Sequence, residues 1–238
     1  ENFDQDFLTS VWPILKENKI PFVLIVSASR LDDAERSGAS PTWDDLKTID
    51  KSSLAEFGIF PYRYTYGHSV SEADFKLDIN RAKSSFRERM GQDPAYFSYP
   101  YGDFAPQLGA LVEQQGFTAA LPQSSGVLAT STPRYAIPSF TLTEGFADID
   151  RFRMTSLALP LPVTQVKPDL TFVAENPPSL SFTIYRRIPA EDVKQLDCFA
   201  SGLGGLGKTI SGQTVTIIFP SAFDDSKARV NCTIPFVP

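Results

Sequence analysis

The sequence predicts an α/β fold followed by a smaller antiparallel β module, and three observations lead there. Amphipathic helical segments alternate with short, continuously apolar runs through the first two thirds of the chain, the pattern of a sheet covered on both faces. From Pro160 onward the texture changes: Pro160, Pro162, Pro168, Pro177 and Pro178 fall within nineteen positions. Beyond them, period-two alternation punctuated by glycines replaces the helical spacing.

Taken in order, Phe7, Leu8, Val11, Ile14 and Leu15 recur at helical spacing and predict a helix over residues 7–18, shortened or kinked by Pro13. After Ile20-Pro21, the run Phe22–Val26 reads as a strand buried on both faces. Thr42 has the character of an N-cap for a helix over 43–51. A strand is expected to lead into Gly67-His68, followed by a helix from Glu72 or Ala73 to Met90. Residues 95–98 form the next short strand. Residues 106–115 form a helix stopped by Gly116, and 117–121 a further strand. The proline-rich stretch reads as a stiff linker, which places a domain boundary at 163/164. In the second domain, 180–184 and 214–219 alternate as strands, with Gly202, Gly204, Gly205 and Gly207 supplying turns.

With 238 residues, 42% hydrophobic and 21% charged, the chain is long enough to bury a full core. No apolar run approaches the ~20 residues needed to cross a bilayer. Net charge is −6, and lysines and arginines are scattered. That distribution argues against binding nucleic acid or an anionic membrane through a basic face. The chain opens on Glu1, so the lack of a visible targeting segment says little about compartment. The two cysteines, Cys198 and Cys232, close a 34-residue loop if paired. Pairing would add roughly 3–4 kcal/mol in the chain-entropy model. Two free buried thiols are the alternative. A disulfide is expected, and with it an oxidising compartment, secreted or periplasmic.

The residues that carry chemistry cluster in two segments. Gly67-His68-Ser69-Val70-Ser71-Glu72 holds the one histidine of the chain, and Phe97-Ser98-Tyr99-Pro100-Tyr101-Gly102-Asp103 follows about thirty residues later. Together they resemble signature motifs of the polysaccharide deacetylases, carbohydrate esterase family 4 with the NodB-homology fold. That family has a His-Ser/Thr-x-x-His metal segment and an aromatic-Pro-Tyr-Gly loop beside the substrate. Pro13-Ile14-Leu15-Lys16, Gly116-Phe117-Thr118-Ala119-Ala120 and Ile137-Pro138-Ser139-Phe140 resemble framework segments of the same family.

The resemblance covers residues 1–163 and implies a deformed (β/α) barrel of polysaccharide deacetylase type whose first strand would lie upstream of Glu1. It further implies metal-dependent hydrolysis of acetyl groups from an acetylated, N-acetylated in the first instance, polysaccharide. The cofactor it implies is a divalent metal such as zinc, nickel or cobalt. The metal positions fall on His68, Glu72 and Asn2, the catalytic base on Glu1, and the oxyanion-stabilising residue on Tyr101. Tyr99, Pro100, Tyr101 and Gly102 fall in the substrate loop.

The chain departs from the pattern at several of these positions. Glu72 stands where the second histidine is expected, and a continuous helix would put it on the face of His68. Glu1 and Asn2 stand where paired aspartates are expected, with Asp4 and Asp6 as the nearby carboxylates. Ser139 replaces an arginine, and no second histidine can serve as general acid. The alternative these departures open is a catalytically inactive member that binds a glycan or serves a structural role.

Overall fold

Parallel strand pairing is the first consequence of the alternating pattern. In the computed structural model, which describes residues 3–65, 67–168, 173–185, 188–225 and 228–235 and of His68 and Glu144 the backbone alone, the chain divides into two units, Glu1–Ala147 and Asp148–Pro238. The 163/164 position expected from the proline-rich stretch falls at the start of a strand that pairs within the second unit.

In the first unit, strands β1 (Phe22–Val26), β2 (Ala55–Ile59), β3 (Tyr96–Ser98) and β4 (Ala119–Leu121) pair in parallel in sequence order. Among the described residues the sheet is open, with β1 and β4 at its edges. Helices α2 (Ala28–Ser37), α3 (Trp43–Asp50), α4 (Glu72–Met90) and α5 (Pro106–Gln114) connect these strands, as parallel pairing requires. Their buried faces follow helical spacing: Trp43, Leu46 and Ile49 on α3, and Phe75, Ile79, Ala82 and Phe86 on α4. The starts and stops are side-chain encoded. Thr42 and Asp45 form a reciprocal capping box, Ser71 caps α4, and Gly91 closes α4 in the left-handed region.

The first helix departs from its expected face. Residues 7–11 form a π-helical turn ahead of α1 (Trp12–Glu17), with Trp12 N donating to Phe7 O. Pro13 has no N–H to continue the ordinary ladder, and the wider turn inserts one residue into the register. The apolar face therefore advances from Val11 to Trp12. Val11 and Ile14 are exposed, while Phe7 and Trp12 pack against Phe22.

Four further elements differ from expectation. The strand expected to reach Gly67 is β2, and it ends at Ile59. Helix α2 occupies a segment with no strong apolar run, burying Ala28, Leu31 and Ala34. In the second unit, α6 (Ile149–Leu157) and β5 (Val163–Lys167) form within the stretch read as a linker or upstream of it.

The second unit has two antiparallel sheets. One has the order β5, β6 (Ser181–Ile184), β10 (Thr214–Ile218), β9 (Gly207–Ser211); the other has β11 (Val230–Thr233), β7 (Asp197–Ala200), β8 (Gly204–Gly205). A short helix, α7 (Ala190–Val193), precedes β7. Alternate residues Phe182, Ile184, Val215 and Ile217 point into a core with Val193, Leu196 and Cys198. Cys198 and Cys232 are opposite partners on β7 and β11 and are joined by a disulfide, as the sequence predicts.

Candidate functional site

In a parallel α/β sheet the carboxyl ends of the strands open onto loops free to carry function. Here those ends lead into Ser27 after β1, Phe60 after β2, Tyr99 after β3 and Pro122 after β4.

The loop after β2 is pinned from two sides. Asp78, buried in α4, accepts from Arg63 N at 3.0 Å and from Arg63 Nε at 3.1 Å. On the other side, Asp32 of α2 accepts from Tyr62 OH at 2.9 Å, from Trp43 Nε1 at 3.0 Å and from Ser85 Oγ. The Arg81 guanidinium lies 3.9 Å from the Tyr62 ring centroid. Burial, together with the hydrogen bond to Asp32, pushes the Tyr62 hydroxyl above its ordinary pKa.

Held between these anchors, Tyr64 adopts φ 55° and packs edge to face on Phe60, with ring centroids 4.7 Å apart. Phe60 and Tyr64 wall a cavity of about 220 Å³, whose lining also includes Phe3, Asp4, Ser27 and Arg30. Asp4 accepts from Phe7 N at 2.9 Å, so the start of the first helix fixes this carboxylate at the cavity.

The loop after β3 meets the loop after β2. Tyr101, at φ 57°, is half exposed and stacks edge to face on Tyr64 with centroids 5.0 Å apart. Gly102 follows at φ 68°, where a Cβ would lie 2.3 Å from the Pro122 carbonyl oxygen, so a side chain is excluded twice over. Of the expected substrate-loop residues, Tyr99 and Pro100 are buried and Tyr101 reaches the surface. Tyr99 donates its hydroxyl to the Tyr135 carbonyl at 3.0 Å, and burial raises its pKa far above the usual tyrosine value. It supports the loop from beneath.

Of the residues expected to hold a metal, His68, Glu72 and Asn2, the described side chain is that of Glu72. Glu1 and Asn2 lie outside the described residues, as does the side chain of His68. The His68 backbone sits in the short 3-10 turn Gly67–Ser69, eight residues beyond the end of β2. Gly67 is packed so closely against α5 that a Cβ would lie 2.7 Å from Leu108 Cδ1. Ser71 then starts a new helix, so His68 and Glu72 stand on separate elements and not on one helical face. Glu72 is exposed and pairs with Lys76 Nζ at 2.6 Å. Among the described residues no three His, Cys, Asp or Glu side chains are grouped to hold an ion.

Sequence reasoning missed the pair directly after β2. Phe60 and Tyr64 pack edge to face in the loop after β2. The signal that could have found them was the strand Ala55–Ile59, obscured because Glu56 and Gly58 are poor strand formers.

Residues 2–120 match the family model described as polysaccharide deacetylase, half of the chain. The chain belongs to the polysaccharide deacetylase family. Members of that family are in general metal-dependent. Among solved structures, the Streptococcus pyogenes deacetylase PplD in complex with acetate matches this deacetylase-family chain with a TM-score of 0.52 at 14% identity, over 56% of this chain and 57% of that one. IcaB from Ammonifex degensii matches at 25% identity with a TM-score of 0.43, over 50% and 56%. A CE4 family pseudoenzyme from Bacillus anthracis matches at 13% identity with a TM-score of 0.42, over 49% and 38%. The likeness to PplD is one of fold, and it bears out the α/β fold of polysaccharide deacetylase type, while the sheet of the described residues is open and not a closed barrel. The chain spans little more than half the length of the two deacetylases. No curated protein matches it.

Proposed function

We propose that this chain acts on an acetylated polysaccharide at the carboxyl ends of β1 to β4. The observation that carries the proposal is the family match over residues 2–120, which takes in β1 to β3, the loops after them and the start of β4. The first reading is the family's reaction, hydrolytic removal of acetyl groups. On that reading the chain uses a divalent metal, zinc, nickel or cobalt, with His68 among its ligands, Glu1 as base and Tyr101 beside the acetyl oxyanion.

A second reading, glycan binding without hydrolysis, is favoured by a specific observation. Phe60 and Tyr64 line the loop after β2 with aromatic rings, and Glu72 pairs with Lys76. The disulfide supports an oxidising compartment, secreted or periplasmic, for either reading. Among the described residues no helix is long and apolar enough to cross a membrane.

The test is acetate release from an N-acetylated oligosaccharide with and without added zinc, paired with a binding titration. Zinc-dependent release that is lost in His68→Ala selects the deacetylase reading. Binding without release selects the second, and neither binding nor release rejects both.

A further inference from the structure

We infer that the outward face of the second unit's three-stranded sheet, centred on Phe199, is a docking platform for a neutral polysaccharide chain. The inference rests on the polysaccharide reading above and goes beyond it, because this face lies outside residues 2–120 and recognises the sugar ring, not its acetyl group.

Strand alternation sets the face. Cys198 and Ala200 of β7 are buried, so Asp197 and Phe199 point outward, and opposite them on β11 Thr233 and Asn231 do the same. Phe199 is 54% exposed although β7 is the central strand of its sheet. A lone exposed apolar side chain is ordinary on a protein surface, and the neighbours make this one different. On one side its cross-strand partner is Gly205, which has no side chain to cover the ring. On the other it is Asn231, whose amide has no hydrogen-bond partner among the described residues. The unit's other sheet carries Thr183, Thr214 and Thr209 at the corresponding outward positions.

An open ring beside an unpaired amide matches the amphipathic character of a pyranose. The ring takes the apolar C–H face of the sugar, and the Asn231 amide and Thr233 hydroxyl offer donors and acceptors to the hydroxyls at its edge. Charge favours a neutral chain. Asp197, the carboxylate on this face, is 3.5 Å from Lys208 Nζ, and the second unit holds nine acidic and nine basic residues. A polyanion or a polycation therefore gains no long-range attraction from it. Neighbouring strands lie about 4.8 Å apart, so the three-stranded face is about 10 Å across and open, a shape for a chain laid over it and not for an enclosed ligand. The pair is also fixed before a ligand arrives. The Cys198–Cys232 disulfide joins the two strands one residue from Phe199 and Asn231, so docking orders little protein.

The experiment measures depletion of the full chain from solution by two insoluble, neutral polymers, one of β-linked N-acetylglucosamine and one of β-linked glucose. A single ring holds a short oligosaccharide weakly, whereas a polymer presents many repeats, so retention is the sensitive readout. Retention on both polymers is expected, weakened about fivefold in Phe199→Ala, the order that one aromatic contact supplies. Phe199→Tyr keeps the ring and should keep retention, whereas Phe199→Leu stays apolar and should lose it. Asn231→Ala is expected to weaken retention several-fold. Both residues are exposed, so each variant should keep the wild-type thermal midpoint. Retention on the acetylated polymer alone, or retention that Phe199→Ala leaves untouched or Phe199→Leu preserves, would overturn the inference and leave the polysaccharide reading standing. No retention on either polymer, with binding or deacetylation of a soluble N-acetylated oligosaccharide intact, would do the same. No retention, no binding and no acetate release would overturn the inference and the polysaccharide reading together.

Discussion

Tyr64 and Tyr101 follow different strands of the sheet, yet their rings meet edge to face with centroids 5.0 Å apart, both on left-handed backbone. A tyrosine in that region is strained, and such strain persists only where neighbours over-determine it. The neighbours are identifiable: the Asp78 clamp on Arg63 for the first loop, and Gly102 against Pro122 for the second. The two loops thereby form one aromatic rim, with Phe60 beneath Tyr64.

Gly102→Ala breaks the second support. The new Cβ meets the Pro122 carbonyl oxygen and the left-handed backbone disfavours it, so a loss of more than about 1 kcal/mol is expected. Urea denaturation measures it, and an unchanged midpoint would contradict the close approach.

Asp78→Ala removes the buried acceptor for both Arg63 donors and is expected to cost about 2 kcal/mol. Arg63 is half exposed and can recover water, which keeps the loss moderate. Asp78→Asn retains one acceptor and should lose less. Equal losses for the two variants would contradict a contribution from the bond that the amide oxygen keeps.

Tyr99 predicts an alkaline limit. Its pKa is raised by burial in the folded state, so its contribution is fully present below the unfolded value of about 10 and is lost as pH rises above it. Stability should therefore fall above about pH 10, and Tyr99→Phe should flatten that fall. The same variant loses the hydrogen bond to Tyr135, at about 1 kcal/mol near neutrality. Denaturation at a series of pH values separates the two effects.

How far the sequence reveals this fold depends on burial. Strand β1, the capping box of α3 and the buried spacing of α4 are legible because each writes its environment in residue type. Helix α2 is not, since its buried positions are two alanines and one leucine. Nor are α6 and β5: α6 buries no residue, and every position of β5 is exposed, so neither carries periodic apolar pressure. The tyrosine loop was legible as a motif. The role of Phe60 and Tyr64 was not, because an aromatic pair looks like core until the end of β2 is known.

The disulfide was legible from spacing alone, and its effect belongs to the second unit. Replacing Cys198 and Cys232 together with alanine is expected to cost roughly 3–4 kcal/mol for the 34-residue loop. Intact-mass analysis of the native chain under denaturing, non-reducing conditions should find no free thiol. Alkylation of both cysteines in that experiment would contradict the pairing.

The most direct test of the central claim, that an acetylated saccharide engages the carboxyl-end cleft, is amide chemical-shift mapping during titration with the N-acetylglucosamine tetrasaccharide. The account predicts shifts concentrated at Ser27, Tyr64, Tyr101 and Gly102. No shifts, or shifts confined to residues after Asp148, would contradict it.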